Sequence, residues 1–293
     1  MGDGWGDSVR EADKNNYMEI RFEHSPGEVR GMTTDELRAA FLTDPLMEDD
    51  KVRLVYTHYD RVILGGAKPV RQRLTLDTYP DLKADFFLQR REIGIINVGG
   101  KGKVYAEGQA YELDKLDCLY AGKGVREVSF TSNNPAHPAM YYLLSAPAHA
   151  SHPVRLMKGE EALPADVGAP ETSNARTIYK YIHAEGIQSS QLVMGLTVLQ
   201  LGSVWNTMPA HTHTRRMEAY FYFDVPDQQR VFHFMGEPQE TRHLLVANGQ
   251  AVVSPPWSVH SGCGTSNYAF IWGMAGENYT YTDMDIVSIP DLR

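Results

Sequence analysis

Two cysteines, Cys118 and Cys263, are all that the 293 residues contain. A pair so far apart builds no disulfide framework and suits a reducing compartment, which argues against a stapled secreted domain. Long apolar runs are missing as well, since no stretch approaches the ~18 to 20 apolar residues of a membrane span. The polar opening MGDGWGDSVREADKNN does not read as a secretory signal. The expected location is therefore the cytoplasm, with no membrane partner, and the glycosylation-type triplet Asn278-Tyr279-Thr280 is expected to be chance. Positive charge is in deficit: 28 Lys and Arg against 37 Asp and Glu give a formal net charge of -9. Nucleic acid and anionic membrane need a basic footprint, so neither is an expected partner. If the ligand is an anion, its counter-charge must be local.

Helical periodicity is scarce too. It is confined to TTDELRAAFL at 33–42, where Thr33 and Glu36 make a capping box, Leu37, Ala40 and Phe41 form an apolar stripe, and Pro45 follows the end. The thirty residues before it carry little pattern. With 42% hydrophobic residues the chain can bury a large core, and its length sets a prior of about two domains of ~150 residues.

Strand patterns fill the rest. VRLVYTHYDRVILGG and DFFLQRREIGIINVGG are β-branched and aromatic runs closing on Gly-Gly turns, and GKVYAEGQAYEL reads as a hairpin turning at Glu107-Gly108. PAHASHPVRLMKGEEALPADVGAPETSNAR, at 147–176, has weak periodicity and reads as a connection that could cover a neighbour's edge strands. Beyond it come two strands in TIYKYIHAEGIQSSQLVMGLTVLQLGSVWN, three in RVFHFMGEPQETRHLLVANGQAVVSPP, and a last one in YAFIWGMAGE. Short strands with regular turns imply a mainly β fold, a sandwich or barrel with few short helices. INVGGKGKVYAEGQAYELDKLDCLYAGKG shares the turn-strand rhythm of RVFHFMGEPQETRHLLVANGQAVVSPPWSVH, which points to a duplicated barrel. The expected organisation is an N-terminal extension at 1–30, a degenerate β-domain without a metal motif at 31–150, a connection at 151–175, and a metal-binding domain at 176–293.

That last domain carries the chemistry. In MPAHTHTRRMEAYFYF, at 208–223, an extended chain puts His211 and His213 on one face. Four residues then allow a bend and a second strand, with Glu218 on the face of Arg216, Tyr220 and Tyr222. His260, in GQAVVSPPWSVHSG, is the best placed fourth ligand. Three imidazoles and one carboxylate are borderline donors suited to Zn, Fe, Ni, Co or Mn. An H-x-H pair alone is often a surface or core pair, whereas H-x-H-x4-E followed by P-x-x-x-x-H is far more specific.

The spacing His211-x-His213-x4-Glu218, with Gly249 and Pro255-x-x-x-x-His260, resembles the two motifs of cupins. Trp257 stands where the second motif normally has Gly, and Gly264 where it often has Asn, so the glycine pattern departs while the ligands stay. RREIGIINVGG, YAGKG, APAH, TSNARTI, VWNTMPAHTHTRRMEAYFYF, FHFMGEPQETRH, SPPWSVHSGCGT, FIWGMAGEN and the final DLR together resemble the 5-dehydro-4-deoxyuronate ketol-isomerase family over roughly residues 30–293. The resemblance implies duplicated cupin-type jelly rolls, one zinc ion per chain on His211, His213, Glu218 and His260, and a homohexamer. It also implies conversion of 5-dehydro-4-deoxy-D-glucuronate to 3-deoxy-D-glycero-2,5-hexodiulosonate in pectin and uronate catabolism.

Moving a carbonyl from C1 to C2 requires a proton to leave C2 and an enediolate to be stabilised, which a divalent ion and a general base or acid can do. The sequence does not name the base. Tyr220 is a candidate, balanced by a barrel-lining role. For the substrate carboxylate, Arg216 is a candidate against a solvated loop arginine. Arg242, Arg176 and Lys180 are weaker candidates that serve as well in structure or interfaces, as does His243, and Glu240 orients one of its neighbours at most. An Fe(II) cupin dioxygenase and a non-catalytic sugar-binding cupin are the alternatives.

Overall fold

The computed structural model describes residues 18–277, 280 and 283–293. Most of the extension expected over residues 1–30, together with Asn278 and Tyr279 of the glycosylation triplet, lies outside the described residues.

In the first half, Ile63–Ala67, Tyr141–Pro147, Arg91–Asn97 and Cys118–Ala121 are consecutive neighbours in one large sheet, and Leu74–Thr75, Val128–Ser132, Gly102–Ala106 and Gln109–Leu113 form a small one. The second half repeats the neighbour order. Val193–Leu199, Ala269–Gly276, Arg216–Phe223 and Ala251–Ser254 share its large sheet, and Trp205–Asn206, Ser261–Gly264, Val231–Glu237 and Glu240–Val246 its small one. Each copy therefore places its first, eighth, third and sixth strands in one sheet and its second, seventh, fourth and fifth in the other. That is the jelly roll, two Greek keys closed on a shared core, and the expected duplicated, mainly β architecture is present.

Strand alternation decides what each face does. In the first copy Ile93, Ile95, Leu119 and Leu143 point inward against Val104, Leu113 and Phe130 of the small sheet, so its interior is aliphatic and aromatic. The opposite face, with Ile96, Tyr142 and Leu144, joins Met194, Phe221 and Ile271 of the second copy in one core. Tyr142 stacks on Phe221 at 4.6 Å between ring centroids. Two glycines permit this approach: a Cβ on Gly94 would meet Met194 Sδ at 2.5 Å, and one on Gly273 would meet Leu144 Cδ2 at 2.2 Å. The two large sheets thus pack back to back.

The capped helix appears at Thr34–Phe41, with the Thr33/Glu36 capping box formed. The hairpin turns through Glu107 and Gly108, both at positive φ. Four expectations need correction. Gly65 and Gly66 are not a turn but lie inside strand Ile63–Ala67, paired on both sides, and are glycine because a Cβ there would strike the Arg53 or Leu46 carbonyl oxygen. The patternless N-terminal stretch contains a strand, Glu19–Arg21, parallel to Val52–Thr57, and a helix, Pro26–Arg30, capped by Ser25 and Glu28. The loose stretch 147–176 supplies an edge strand to each large sheet, Arg155–Met157 and Ala165–Val167. Finally, Ala269–Gly276 is not the last strand, since Asp285–Ile286 returns to pair with His211–Thr212.

Candidate metal centre and its cavity

The strand Arg216–Phe223 positions the centre. Its register against Ala251–Ser254 pairs Glu218 with Ser254, the last residue of that strand, so the carboxylate sits near one end of the second barrel. His211 and His213 arrive from the preceding short strand and loop, and His260 immediately precedes strand Ser261–Gly264. All four side chains are buried, and their ligand atoms lie within 4.8 Å of one another. Glu218 Oε2 is 2.9 Å from the Nε2 atoms of both His213 and His260. His260 Nε2 is 2.9 Å from His211 Nε2 and 3.1 Å from His213 Nε2.

Three imidazole nitrogens and a carboxylate this close cannot all be satisfied by protons, because each neutral imidazole has only one to share. The geometry fits a cation among them. On the far side of its ring, His213 Nδ1 is 2.8 Å from the Asp283 carbonyl oxygen. A carbonyl only accepts, so Nδ1 carries the proton and Nε2 presents a lone pair inward, the usual arrangement of a ligating histidine. Arg216 Nε also lies 3.3 Å from that Nδ1. Both contacts cannot use one nitrogen as donor and acceptor, and the shorter one to the carbonyl prevails. His260 Nδ1 faces Ser254 Oγ at 3.4 Å. Burial, with His260 adding to it, pushes His211 down to about 3, so its imidazole is neutral at pH 7. Burial raises the Glu218 carboxyl, but its electrostatic interaction with His260 and His213 outweighs that and holds it well below the usual carboxylate range. The group is thus in the charge state a divalent ion requires.

His211, His213 and Glu218 face a cavity of about 230 Å³, whose walls include Arg176, Thr197, Thr207, Tyr220 and Trp272. That is room for several waters or for the reacting end of a small metabolite. The Tyr220 hydroxyl lies 3.2 Å from Thr207 Oγ1, and its ring stacks on Phe270 and stands 5.5 Å from that of His260. Trp272 Nε1 donates to Thr197 Oγ1 at 3.2 Å. Ile178, Met274, Met284 and Ile286 make the apolar walls.

Among the other residues singled out from sequence, only Arg176 joins Tyr220 on the lining; it donates to the Asn174 carbonyl at 2.8 Å. Arg216 is completely buried and donates to the Thr280 carbonyl at 2.8 Å, holding the segment that supplies Asp283. It neither lines the cavity nor lies solvated in a loop. Arg242 donates to the Val29, Arg30 and Met32 carbonyls and so ties the N-terminal helices to the second barrel. Lys180 is half-buried on strand Arg176–Ile182, away from the lining, while His243 and Glu240 are exposed. Sequence reasoning passed over Thr197, Thr207, Trp272, Met284 and Ile286. Their patterns are those of ordinary strand and loop residues, and only strand pairing brings them together.

The fold and this centre define a duplicated cupin-type protein whose second jelly roll carries the one buried His/Glu metal-binding cluster found among the described residues. A profile of the KduI/IolB family matches residues 43–289, and the chain belongs to that family. A 4-deoxy-L-threo-5-hexosulose-uronate ketol-isomerase from Halalkalibacterium halodurans is 56% identical over 276 residues, 94% of this chain and 100% of that protein. One from Bacillus subtilis is 52% identical over the same shares. Among solved structures, an IolB-like protein from Salmonella typhimurium superposes with a TM-score of 0.70 at 16% identity, covering 84% of this chain and 96% of its own. The oxalate decarboxylase of Lactobacillus farciminis gives 0.58 at 10% identity, covering 82% and 87%. The family resemblance drawn from the sequence blocks agrees with these names.

Proposed function

We propose that this chain is an aldose-ketose isomerase that converts 5-dehydro-4-deoxy-D-glucuronate, the 4-deoxy-L-threo-5-hexosulose uronate of its relatives' names, to 3-deoxy-D-glycero-2,5-hexodiulosonate. The observation that carries this reading is a His/Glu cluster open on one side to a closely walled, metabolite-sized cavity, in a chain 56% identical to such an isomerase along its whole length. A closed four-ligand zinc site is structural, whereas a catalytic one presents a side to substrate. Three of the four ligand residues line the cavity here. Following the family resemblance, we assign zinc, one per chain, to His211, His213, Glu218 and His260, whose borderline donors accommodate it as they do other divalent transition ions. A divalent ion bound there supplies Lewis-acid polarisation of a substrate carbonyl.

The chain's own residues supply the rest. Arg176 offers a planar guanidinium, suited to two-point binding of the substrate carboxylate, and provides the local positive charge that an anionic substrate of this acidic chain needs. The Tyr220 hydroxyl, beside the ligands and hydrogen-bonded to Thr207, is placed to pass a proton to and from the C1–C2 unit. Apolar walls limit water, which protects an enediolate from stray protonation. We extend the reading to a cytoplasmic homohexamer in uronate catabolism, as the family resemblance implies.

The test is an anaerobic NMR time course with 5-dehydro-4-deoxyuronate, following loss of the C1 aldehyde and growth of the C1 hydroxymethyl, with His211→Ala in parallel. Conversion under nitrogen by the wild type and its loss in a folded variant are expected. No conversion by metal-replete protein refutes the assignment, and a requirement for oxygen would turn it toward a dioxygenase.

A further inference from the structure

A second cavity, of about 560 Å³, opens on the first jelly roll. Its position follows from the duplication. Ile93 pairs with Ala121, the last residue of its strand, as Glu218 pairs with Ser254 in the second copy. Arg91, two residues earlier, therefore occupies the place of Arg216, and its partner Pro147 that of Gly276. The cavity lies at the end of the first barrel that corresponds to the metal end of the second.

Its lining is unusual in charge. Arg61, Arg90 and Arg91 border it, together with His58 and Tyr56. Arg91 is only 7% exposed, yet its hydrogen-bond partners are neutral: Ser145 Oγ at 3.0 Å, the Ser145 carbonyl at 2.9 Å and the Arg61 carbonyl at 2.7 Å. Arg90 donates to the Leu82 and Lys83 carbonyls. Among the described residues, no carboxylate lies within the 4.0 Å ion-pair distance of any of the three. Asp81, the one acid among the described lining residues, is exposed. Neighbouring acids are engaged elsewhere: Glu92, on the opposite face of the strand, accepts from Tyr120, Ser190, Gln191 and Leu192, and Asp60 accepts from the Met217 amide. In a chain of net charge -9, three arginines share one cavity with no carboxylate among the described residues in ion-pair contact with them. A buried guanidinium in that condition is costly unless an anion completes it.

We propose that this cavity binds a small anion with a terminal carboxylate or phosphate, held by Arg91 at its wall and by Arg61 and Arg90 around it. Arginine's planar fork suits both groups. The metal-less copy then carries a ligand site of its own, separate from the isomerase site and independent of its chemistry.

Isothermal titration of the metal-loaded full chain with inorganic phosphate, and separately with succinate, tests this and tells the two sources apart. Saturable binding of one equivalent per chain is expected for at least one probe. Removing one charge-assisted contact by Arg61→Ala, whose side chain is exposed, should weaken it about tenfold or more. Arg176→Ala in the other cavity should leave it unchanged. Arg91→Gln should abolish binding, and if it does not fold, the double variant Arg61→Ala/Arg90→Ala carries the same test. No saturable binding by the wild type up to ~10 mM of either probe, or binding undiminished in the double variant, overturns the proposal.

Discussion

Replacing Tyr220 by Phe removes one oxygen from the cavity and little else. The ring keeps its 5.2 Å stack on Phe270 and its contacts with His233 and His260, so packing is conserved. The loss includes the 3.2 Å hydrogen bond to Thr207 Oγ1, worth about 1 kcal/mol in net stability. If the hydroxyl carries the proton, kcat should fall by about 10² to 10⁴, or about 3 to 5 kcal/mol on the barrier at ~1.4 kcal/mol per decade. KM should change by no more than about threefold, because the group acts on the transition state more than on the bound sugar. The assay is the anaerobic NMR time course in deuterated buffer, with metal content measured on the same sample. Wild type should exchange solvent deuterium into the product, and the variant should lose exchange and turnover together while keeping its metal. A variant with wild-type kcat would refute the role and leave Tyr220 as a wall of the cavity.

The remaining predictions concern the ion, one buried carboxylate and one buried imidazole. Stripping the metal with a chelator should abolish turnover and lower stability by about 4 kcal/mol when the free ion had stood at ~1,000 times Kd, read by scanning calorimetry with and without added zinc. Glu92→Gln should destabilise the fold by about 2 to 4 kcal/mol, because the carboxylate accepts from Tyr120 and from the amides of Ser190, Gln191 and Leu192 at 2.6–3.0 Å; denaturant titration measures the loss, and metal stoichiometry should not change. Burial, with His260 adding to it, holds His233 down at about 3, so the unfolded chain, at ~6.5, protonates first as pH falls. The resulting stability is complete above pH ~6.5 and is lost progressively below it, by about 2 kcal/mol at pH 5; in His233→Gln the drop between pH 7 and pH 5 should shrink by that amount.

Local chemistry explains what could be read without coordinates. Thr33 and Glu36 announce a helix because the capping box is a four-residue event, and Glu107-Gly108 announce a hairpin because the turn needs two residues at positive φ. The H-x-H-x4-E spacing works in the same way: three ligand residues fall within eight positions, and only His260 had to be brought from afar. What escaped the sequence depends on partners distant in the chain. Gly65 and Gly66 look like a turn until the Arg53 and Leu46 backbones are seen against them. Arg216 reads as an inward-facing or loop arginine, and its true partners are carbonyls more than sixty residues later. The Ser25/Glu28 capping box was present in the sequence, but a five-residue helix is too short to show an apolar period.

The aliphatic first copy also has work to do for the second. Strand Arg216–Phe223 carries Glu218 and Tyr220 on its inner face, while Met217, Ala219 and Phe221 on its outer face join the core shared with the first copy. The first copy reaches the backbone of that strand directly, for the Met217 amide, next to Glu218, donates to Asp60 Oδ2 at 2.7 Å. Asp60 is partly buried, and burial raises its carboxyl while the Met217 amide opposes that. Glu92, from the same copy, holds the loop that leads into strand Val193–Leu199, and that strand contributes Thr197 to the cavity wall. Two walls of the site are therefore set by contacts from a barrel that contributes no ligand to it. A metal cluster needs its donors fixed to within about 0.5 Å, and a strand packed on both faces is a stiffer support than one facing water. A first copy without a metal motif still has a structural reason to keep its fold, because the site in the second copy rests on it.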